Sequence, residues 1–320
     1  MQRFVLPLLA AAALAQPAAA QSTSIVFGTN WLPQTEHCGF YQAQAAGLYE
    51  AAGLDVEIVP GGPDINVQAL VAGGRYQLGM GSSFTTLNML AEGIPAVTVA
   101  AYFQKDPQTI VAHPGQGIDS LDDLLGKPIM IAQFSQYEFW QFLKVQFGFT
   151  DDQLARYTYS AGPFLADTSA AQQGYVTEDA YLLGAEMDAP PVSLLLADYG
   201  YQNYASTVFG LTDWIAENRP AVDAFVKATA EGYAACIDGA APEAKAAILE
   251  ANPDHGEGLY DFKLQKMQEL NMVTGEDGLP IGAVSEARVA SFFATMSEAG
   301  VYPADLAYAD AFDFTFFATE

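Results

Sequence analysis

Apolar and polar residues alternate in short segments over the first part of the chain. Residues 54–59 read Leu-Asp-Val-Glu-Ile-Val, and this period of two is typical of a half-buried strand. Further strand-like runs alternate with helix-like runs around it. The strand-like runs are 24–28, 76–81 and 96–102, and the helix-like runs are 39–48, 65–72 and 84–91. This alternation predicts a mostly parallel sheet that carries helices on its faces.

A second unit of the same kind begins near Thr109, and a helical tail follows it. The second unit has strand-like runs at 127–132, 171–176 and 192–197 and an aromatic-rich helix-like run at 136–147. The helical patterns of the tail occupy 213–238, 242–250, 258–271 and 285–300. Pro220 marks a new helix start inside the first of them. This order predicts two α/β units and a tail that returns to cover the first unit.

Residues 1–20 read as a secretory signal peptide. They begin with a positively charged segment, continue with an apolar run over 4–15, and end in a small-residue cleavage site at 18–20. The apolar run is too short to span a bilayer. We therefore expect an exported, soluble mature protein that starts near Gln21.

Composition and charge narrow the class of protein. The chain has 320 residues, of which 51% are hydrophobic and 16% charged, so disorder is excluded as its main state. The length suggests two domains or one fold made of two lobes. There are 12 basic and 38 acidic residues, which gives a net charge of −26. Such a surface repels nucleic acid and anionic lipids, so we expect no nucleic-acid partner.

Two cysteines, Cys38 and Cys236, allow two interpretations. An exported protein meets an oxidising compartment, in which a single bridge between them is possible. They lie far apart in the sequence, and nothing local predicts their pairing. The sequence favours two partly buried free thiols, with the bridge as the alternative.

The loop over residues 30–41 carries the first candidate site. It lies between a predicted strand and a predicted helix, which places it at the carboxyl edge of the sheet, where open α/β sheets bind ligands. It offers a large flat ring, hydrogen-bonding side chains and a stiffening proline. The candidate ligand contacts in this loop are Asn30, Trp31, Gln34, His37 and Tyr41.

Three later loops also follow predicted strands. The candidate contacts there are Ser82, Ser83 and Phe84, then Gln133, Ser135 and Tyr137, and then Gly174, Tyr175 and Glu178. Free backbone N–H groups at a helix start suit an acceptor atom, and Gly174 allows a close approach of the backbone. Each loop also has a plainer interpretation. In the order of the loops, the plainer interpretations are a turn capped by Ser82, an aromatic core stripe over 134–140, and a surface carboxylate at Glu178.

Catalytic chemistry is not indicated. The three histidines, His37, His113 and His255, form no zinc motif, and the chain has no nucleophile elbow, phosphate loop or cysteine pair at metal spacing. His113 and His255 read as surface loop residues. We therefore predict no catalytic residue, no metal and no cofactor.

Three segments carry a resemblance to a known family. They are 30–37 with its Trp-x-Pro loop, 47–56 with a helix end followed by Gly-Leu-Asp-Val, and 173–178. In these segments the chain resembles periplasmic solute-binding proteins of ABC importers. More narrowly, it resembles the branch that includes binders of thiamine pyrimidine precursors, with relatives for sulfonates, nitrate and riboflavin.

The resemblance implies a two-lobed α/β fold, the type II fold of periplasmic binding proteins. Two mixed sheets flanked by helices would enclose a cleft that closes by hinge motion. Lobe one would hold 22–105 and 208–320 with the helical tail, and lobe two would hold 106–207. Hinges would lie at 102–107 and 203–211. The implied protein is a periplasmic monomer whose partners are a small-molecule ligand and an inner-membrane ABC permease with its ATPase.

The implied function is capture of a small planar heterocycle, with a thiamine-type aminopyrimidine favoured. The same module could instead hold a flavin, a purine or hydantoin-like ring, or a sulfonate or nitrate. A pyrimidine-forming enzyme of this fold is the alternative from another class. It is disfavoured because the Cys-rich cluster of the yeast-type synthase is lacking. Gln34 stands where the pyrimidine binders typically have Asn, which leaves the head group of the ligand open.

Overall fold

The computed structural model describes residues 22–274 and 278–317. Over these residues the chain forms two five-stranded sheets. The strands are β1 Thr23–Gly28, β2 Leu54–Val59, β3 Leu78–Gly81, β4 Ala96–Phe103, β5 Gln108–Ala112, β6 Ile129–Ile131, β7 Leu154–Arg156, β8 Ala171–Tyr175, β9 Val192–Leu195 and β10 Ala205–Leu211. The predicted signal peptide at 1–20 lies outside the described residues.

Both sheets are mixed. The first has the order β2-β1-β3-β10-β4, in which β1 is parallel to β2 and β3, whereas β10 is antiparallel to β3 and β4. The second has the order β7-β6-β8-β5-β9, in which β6 is parallel to β7 and β8, and β5 is antiparallel to β8 and β9. Since β10 is antiparallel to both of its neighbours, β4 runs in the same direction as β1, β2 and β3, and the first sheet is mostly parallel, as the alternation predicts, with β10 as its one reversed strand.

Helices cover the faces of the two sheets. Within the described ranges they are α1 Cys38–Ala45, α2 Leu48–Ala51, α3 Val67–Ala72, α4 Ser83–Ala91, α5 Phe139–Phe147, α6 Gly162–Ala166, α7 Asp179–Leu182, α8 Thr212–Glu217, α9 Arg219–Ile237, α10 Pro242–Ala251, α11 Glu257–Glu269 and α12 Glu286–Glu298. The helix break predicted at Pro220 separates α8 from α9. None of the helices in this part of the chain is both long and apolar enough to cross a membrane.

Helix α9 packs on α1 at a point where both helices carry glycine. A Cβ on Gly232 would clash with the backbone oxygen of Gly39, so only glycine permits this approach. The approach brings Cys38 and Cys236 to a Cα–Cα distance of 6.3 Å, and they form a disulfide. The prediction of two free thiols is wrong, because the pairing depends on a contact between helices 198 residues apart, which no local pattern shows.

The tail contacts both halves of the molecule. Phe225 of α9 packs beneath the first sheet, 5.3 Å from Phe27 between ring centroids. Phe292 of α12 instead meets Phe84 of α4 edge to face at 4.9 Å, in a buried cluster that also includes Trp140 of α5. The tail thus covers the first unit, as predicted, and its last helix also joins the core of the second unit.

The chain passes to the second sheet after β4 and returns before β10. The two passages are tied to each other, because Asp106 accepts hydrogen bonds from the backbone N–H of Gln108 at 2.8 Å and from the amide of Asn203 at 2.6 Å. The hinge predicted at 203–211 is too long, since most of that range is the buried strand β10. The lobe limits given above stay predictions.

Candidate functional site

A cavity of about 500 Å³ lies between the two sheets. Its lining residues follow β1, β2 and β3 in the first sheet and β6, β7 and β8 in the second, and others come from the two passages of the chain. Sites for small molecules commonly have volumes of about 300–1,000 Å³. The carboxyl edges of the parallel strands of both sheets face this one space, which is where α/β sheets hold their ligands.

The wall from the first sheet is built by the loop after β1 and by two helix starts. Asn30, Trp31 and Gln34 follow β1. Asn66 caps the start of α3, and Ser82 caps the start of α4. Apart from the carboxyl groups of Glu36 and Asp64, this wall offers neutral polar groups and the large ring of Trp31, which suits the positioning of a polar, flat ligand.

Aromatic rings from both halves meet at one end of the cavity. The ring centroids of Trp31 and Tyr159 lie 5.3 Å apart with an angle of 38° between the planes, and Tyr157 lies 5.2 Å from Tyr159. Trp31 is half-exposed, so it is not a core residue. Tyr159 has a φ of 57°, a left-handed conformation that costs a non-glycine residue roughly 1–2 kcal/mol. Such strain clusters at ligand sites.

Carboxyl groups dominate the charged lining. Burial raises the pKa of Asp106, and it raises the pKa of Glu138 and of Asp179 to about 8. The Ser82 hydroxyl donates to Glu138 at 2.9 Å, and the Thr109 hydroxyl donates to Asp179 at 2.9 Å. The described residues that line the cavity include no Lys, Arg or His. The lining therefore favours a ligand that donates protons or carries positive charge over an anion.

A buried lysine of the tail joins cavity residues of both halves. Lys263 of α11 lies 3.1 Å from Glu36 and 2.5 Å from Glu178, and only 1% of its side chain is exposed. It also donates to Gln34 at 3.3 Å, and the Thr177 hydroxyl donates to Glu36 at 2.5 Å. Burial alone would raise the pKa of Glu36, but Lys263 and Thr177 together lower it. These bonds hold the loop after β1 against the loop after β8.

Several of the predicted ligand contacts line the cavity. They are Asn30, Trp31, Gln34, Ser82, Ser135, Gly174, Tyr175 and Glu178. A Cβ on Gly174 would clash with the carboxylate of Asp179, so this glycine is what lets that carboxylate approach β8. The predicted contacts that line the cavity were identified because they lie just after predicted strands.

Three predicted contacts lie in the core instead. Tyr41 is 5% exposed and Phe84 is fully buried, because both face inward from helices that pack on the first sheet. His37 is also fully buried, and neither of its ring nitrogens has a hydrogen-bond partner among the described residues. Burial lowers its pKa to about 3, so the imidazole is neutral. The predicted contact His37 therefore lies outside the cavity lining.

The remaining three predicted contacts also lie outside the cavity lining. Ser83 is buried, since its N–H donates to the side chain of Asn203 and its hydroxyl accepts from the N–H of Tyr204. Gln133 and Tyr137 face solvent, and Tyr137 is 63% exposed. The 3-10 turn at Phe134–Tyr137 places Ser135 in the cavity lining and leaves Tyr137 exposed to solvent.

Sequence reasoning missed four of the carboxyl groups of the cavity and two of its tyrosine rings. The missed residues are Glu36, Asp106, Glu138, Asp179, Tyr157 and Tyr159. Glu36 and Glu138 lie inside loops that the sequence singled out, and Asp179 follows one of them directly. The signal that could have found these carboxyl groups is an acidic residue beside the end of a predicted strand. Because the chain is rich in acidic residues, this signal did not stand out.

Solved structures share this architecture. The periplasmic aliphatic sulphonate binding protein SsuA from Escherichia coli matches with a TM-score of 0.66 and 14% sequence identity, over 90% of this chain and 97% of that chain. At this identity the match shows the fold alone. The two-lobed fold of periplasmic binding proteins, predicted from the sequence, is confirmed.

The sequence model of the family described as "NMT1/THI5 like" matches residues 34–244, which is more than half of the chain. The chain therefore belongs to this family, and the resemblance noted in its sequence is confirmed.

Two relatives differ in what they are named for. The 4-amino-5-hydroxymethyl-2-methylpyrimidine phosphate synthase of Schizosaccharomyces pombe is 29% identical over 108 residues, which cover 34% of this chain and 31% of that protein. The riboflavin-binding protein RibY of Chloroflexus aurantiacus is 24% identical over 283 residues, which cover 83% of this chain and 72% of that protein. The match to the synthase thus spans about a third of that protein's length.

Proposed function

We propose that this protein is the substrate-binding component of an ABC importer and that it captures a small planar heterocycle between its two sheets. A thiamine-type aminopyrimidine is the favoured ligand. The proposed contacts are Asn30, Trp31, Gln34, Ser82, Ser135, Gly174, Tyr175 and Glu178.

The contact between Trp31 and Tyr159 is the observation that carries this proposal. The two rings belong to opposite halves of the molecule, and both line the cavity. A flat ligand that stacks on either ring gains about 1–3 kcal/mol, by analogy with base–aromatic stacking. Because a ligand held in this way contacts both halves, it stabilises the closed arrangement of the two sheets.

The charge of the lining supports an aminopyrimidine over an anion. Glu138, Asp179 and Glu178 present carboxyl oxygens, which accept hydrogen bonds from an amino group or a protonated ring nitrogen. A sulfonate or nitrate would meet these groups without a lysine or arginine from the described lining. A flavin is the second candidate, because the RibY match covers most of both chains.

Binding is favoured over catalysis as the role of the cavity. A pyrimidine-forming enzyme is the competing class, because the Schizosaccharomyces pombe relative is named a synthase. That match covers only 31% of the synthase, whereas the match to the binding protein RibY covers 72% of its length.

The remaining parts of the proposal concern the partners, the location and the oligomeric state of the protein. The importer role requires a permease at the inner membrane and an ATPase that drives it. It also requires export to the periplasm, for which the pattern of residues 1–20 provides a signal. We propose that the protein acts there as a monomer.

Calorimetric titration tests the ligand class. The wild-type protein is titrated with 4-amino-5-hydroxymethyl-2-methylpyrimidine, riboflavin, butanesulfonate and nitrate, and its melting temperature is measured with each. The aminopyrimidine should bind and raise the stability by about 2.7 kcal/mol at a hundredfold excess over its dissociation constant. Binding of butanesulfonate or nitrate without a response to the aminopyrimidine would overturn the proposal. Turnover of the added ring compound would support the enzyme instead.

A further inference from the structure

Glu138 differs from the buried aspartates of the cavity in its hydrogen bonding. Asp106 has both carboxyl oxygens bonded, one to the backbone of Gln108 and one to the side chain of Asn203. Asp179 is bonded by the Thr109 hydroxyl and by the backbone of Tyr175. Glu138 accepts one hydrogen bond on Oε1, and its Oε2 has no hydrogen-bond partner among the described residues.

The one hydrogen bond that Glu138 accepts fixes its carboxyl group between the two halves of the molecule. Glu138 follows β6 of the second sheet and lines the cavity, and its donor is the hydroxyl of Ser82 at the start of α4 on the first sheet. The distance from Ser82 Oγ to Glu138 Oε1 is 2.9 Å. One oxygen therefore holds the carboxyl in place, and the other oxygen is available to a ligand.

The groups that face Glu138 are acidic or neutral. Asp106 from the first passage of the chain acts on it electrostatically, and so do the phenols of Tyr175, Tyr201 and Tyr302. The cation Arg288 acts electrostatically on Asp106, which lies between it and Glu138 in this chain of interactions. An unpaired carboxylate in this setting is unfavourable, so the carboxyl retains a proton unless a positive charge enters the cavity.

We propose that Glu138 is the specificity-determining residue of this site, and that its Oε2 pairs with a protonated nitrogen of the ligand, so that the site selects a nitrogen base or cation over an anion of the same shape. This rests on the proposed function only in that a small ligand occupies the cavity. It goes further by naming the group that recognises the ligand and the charge that the ligand carries when bound.

The proton balance depends on the ligand. A neutral aminopyrimidine takes the proton of Glu138: the carboxyl O–H bond breaks, a ring N–H bond forms, and the proton stays within the complex. A permanent cation such as benzamidinium cannot accept that proton, so Glu138 releases it to solvent. Burial raises the pKa of Glu138 to about 8, which means that the carboxyl carries a proton to release at neutral pH.

Benzamidine and benzenesulfonate provide a matched pair of probes, because each joins one benzene ring to a compact group of opposite charge. Each is titrated calorimetrically into the wild type, Glu138→Gln and Glu243→Gln, alongside the aminopyrimidine. The control residue Glu243 is an exposed glutamate bonded to Gln42, outside the cavity. Titration of benzamidine in two buffers of different ionisation enthalpy counts the protons released.

The wild type should bind benzamidine more tightly than benzenesulfonate and release up to one proton per benzamidine at neutral pH, and the release should fade above the pKa of about 8. Glu138→Gln keeps an oxygen for the Ser82 hydroxyl. It should weaken benzamidine binding about tenfold to a hundredfold, the loss expected for a charged hydrogen bond, and it should abolish the proton release. Glu243→Gln should behave as the wild type.

Three results would overturn the assignment of Glu138: equal or tighter binding of benzenesulfonate by the wild type, no proton release by the wild type, or unchanged benzamidine binding in Glu138→Gln. The two wild-type measurements test the assignment of Glu138 even if the variant fails to fold. If benzamidine behaves as expected and the aminopyrimidine does not bind, the ligand named under the proposed function fails and the role of Glu138 stands. If the aminopyrimidine binds the variant and the wild type equally, the role of Glu138 fails and the ligand stands.

Discussion

The ammonium group of Lys263 lies 2.5 Å from a carboxylate oxygen of Glu178, although the lysine belongs to the tail and the glutamate to the second half of the molecule. The same ammonium lies 3.1 Å from Glu36 in the loop after β1. Since Glu36 and Glu178 both line the cavity, one buried cation of α11 fixes its two walls relative to each other. The helical tail is therefore part of the site, although none of its described residues lies on the cavity surface.

Replacement of Lys263 by methionine should be strongly destabilising. The variant leaves Glu36, whose side chain is 3% exposed, as a buried charge without its cation. Loss of one partner of a buried pair costs about 3–5 kcal/mol in the free energy of unfolding, which urea melts measure. The matched control is Lys227→Met, which removes an exposed pair with Asp223 and should cost less than about 1 kcal/mol. Equal losses in the two variants would contradict a special role for Lys263.

The contact between Trp31 and Tyr159, which lie on opposite walls of the cavity, leads to a prediction about ligand affinity. Trp31→Ala should weaken aminopyrimidine binding by about 1–3 kcal/mol, because a stacking surface is lost, and Trp31→Phe should recover much of that loss. Trp214 of α8 is also partly exposed but lies outside the cavity, so Trp214→Ala should leave the affinity unchanged. Calorimetry gives the affinities. An unaltered affinity in a folded Trp31→Ala protein would remove Trp31 from the site.

Much of the fold was predictable from the sequence because it depends on local patterns. The period-two run at β2, the glycine stops and the helix start at Pro220 each determine a short element by themselves. The position of β10 between β3 and β4 was not predictable, because it depends on a strand that returns after a whole second unit. The pairing of Cys38 with Cys236 was missed for the same reason.

The site was predictable to the level of loops and not of side chains. The strand-edge rule found the loop after β1, but a 3-10 turn at Thr35–His37 then directs Glu36 to the cavity and His37 to the core. One backbone turn thus decides which of two neighbouring residues faces the cavity, and no periodicity in the sequence predicts that turn. Lys263 was unpredictable, because its partner Glu36 lies 227 residues away in the sequence.

The raised pKa of Glu138 predicts how stability depends on pH. Its pKa is 4.5 in an ordinary environment and about 8 in the folded protein, so between these values the folded protein holds a proton that the unfolded chain has lost. Stability should therefore fall as the pH rises through this window, and Asp179 acts in the same direction. Glu138→Gln should show a smaller fall in melting temperature over the same range. An identical pH profile in wild type and variant would contradict the raised pKa.

The disulfide should contribute to stability without contributing to binding. It joins α1 to α9 across 198 residues, and neither cysteine lines the cavity. The double variant Cys38→Ser/Cys236→Ser should lose about 2–5 kcal/mol in the free energy of unfolding and keep its affinity for the ligand. A reducing agent should destabilise the wild type and leave the double variant unaffected. A loss of affinity in a folded double variant would show that the bridge supports the site.

The ligand that the protein carries when it is isolated from its own host tests the central claim most directly. Protein purified under native conditions is denatured, and the released small molecules are identified by mass spectrometry beside those from a Trp31→Ala/Glu138→Gln preparation. The account predicts an aminopyrimidine that is released from the wild type and absent from the variant. A sulfonate or nitrate released from both preparations would contradict it.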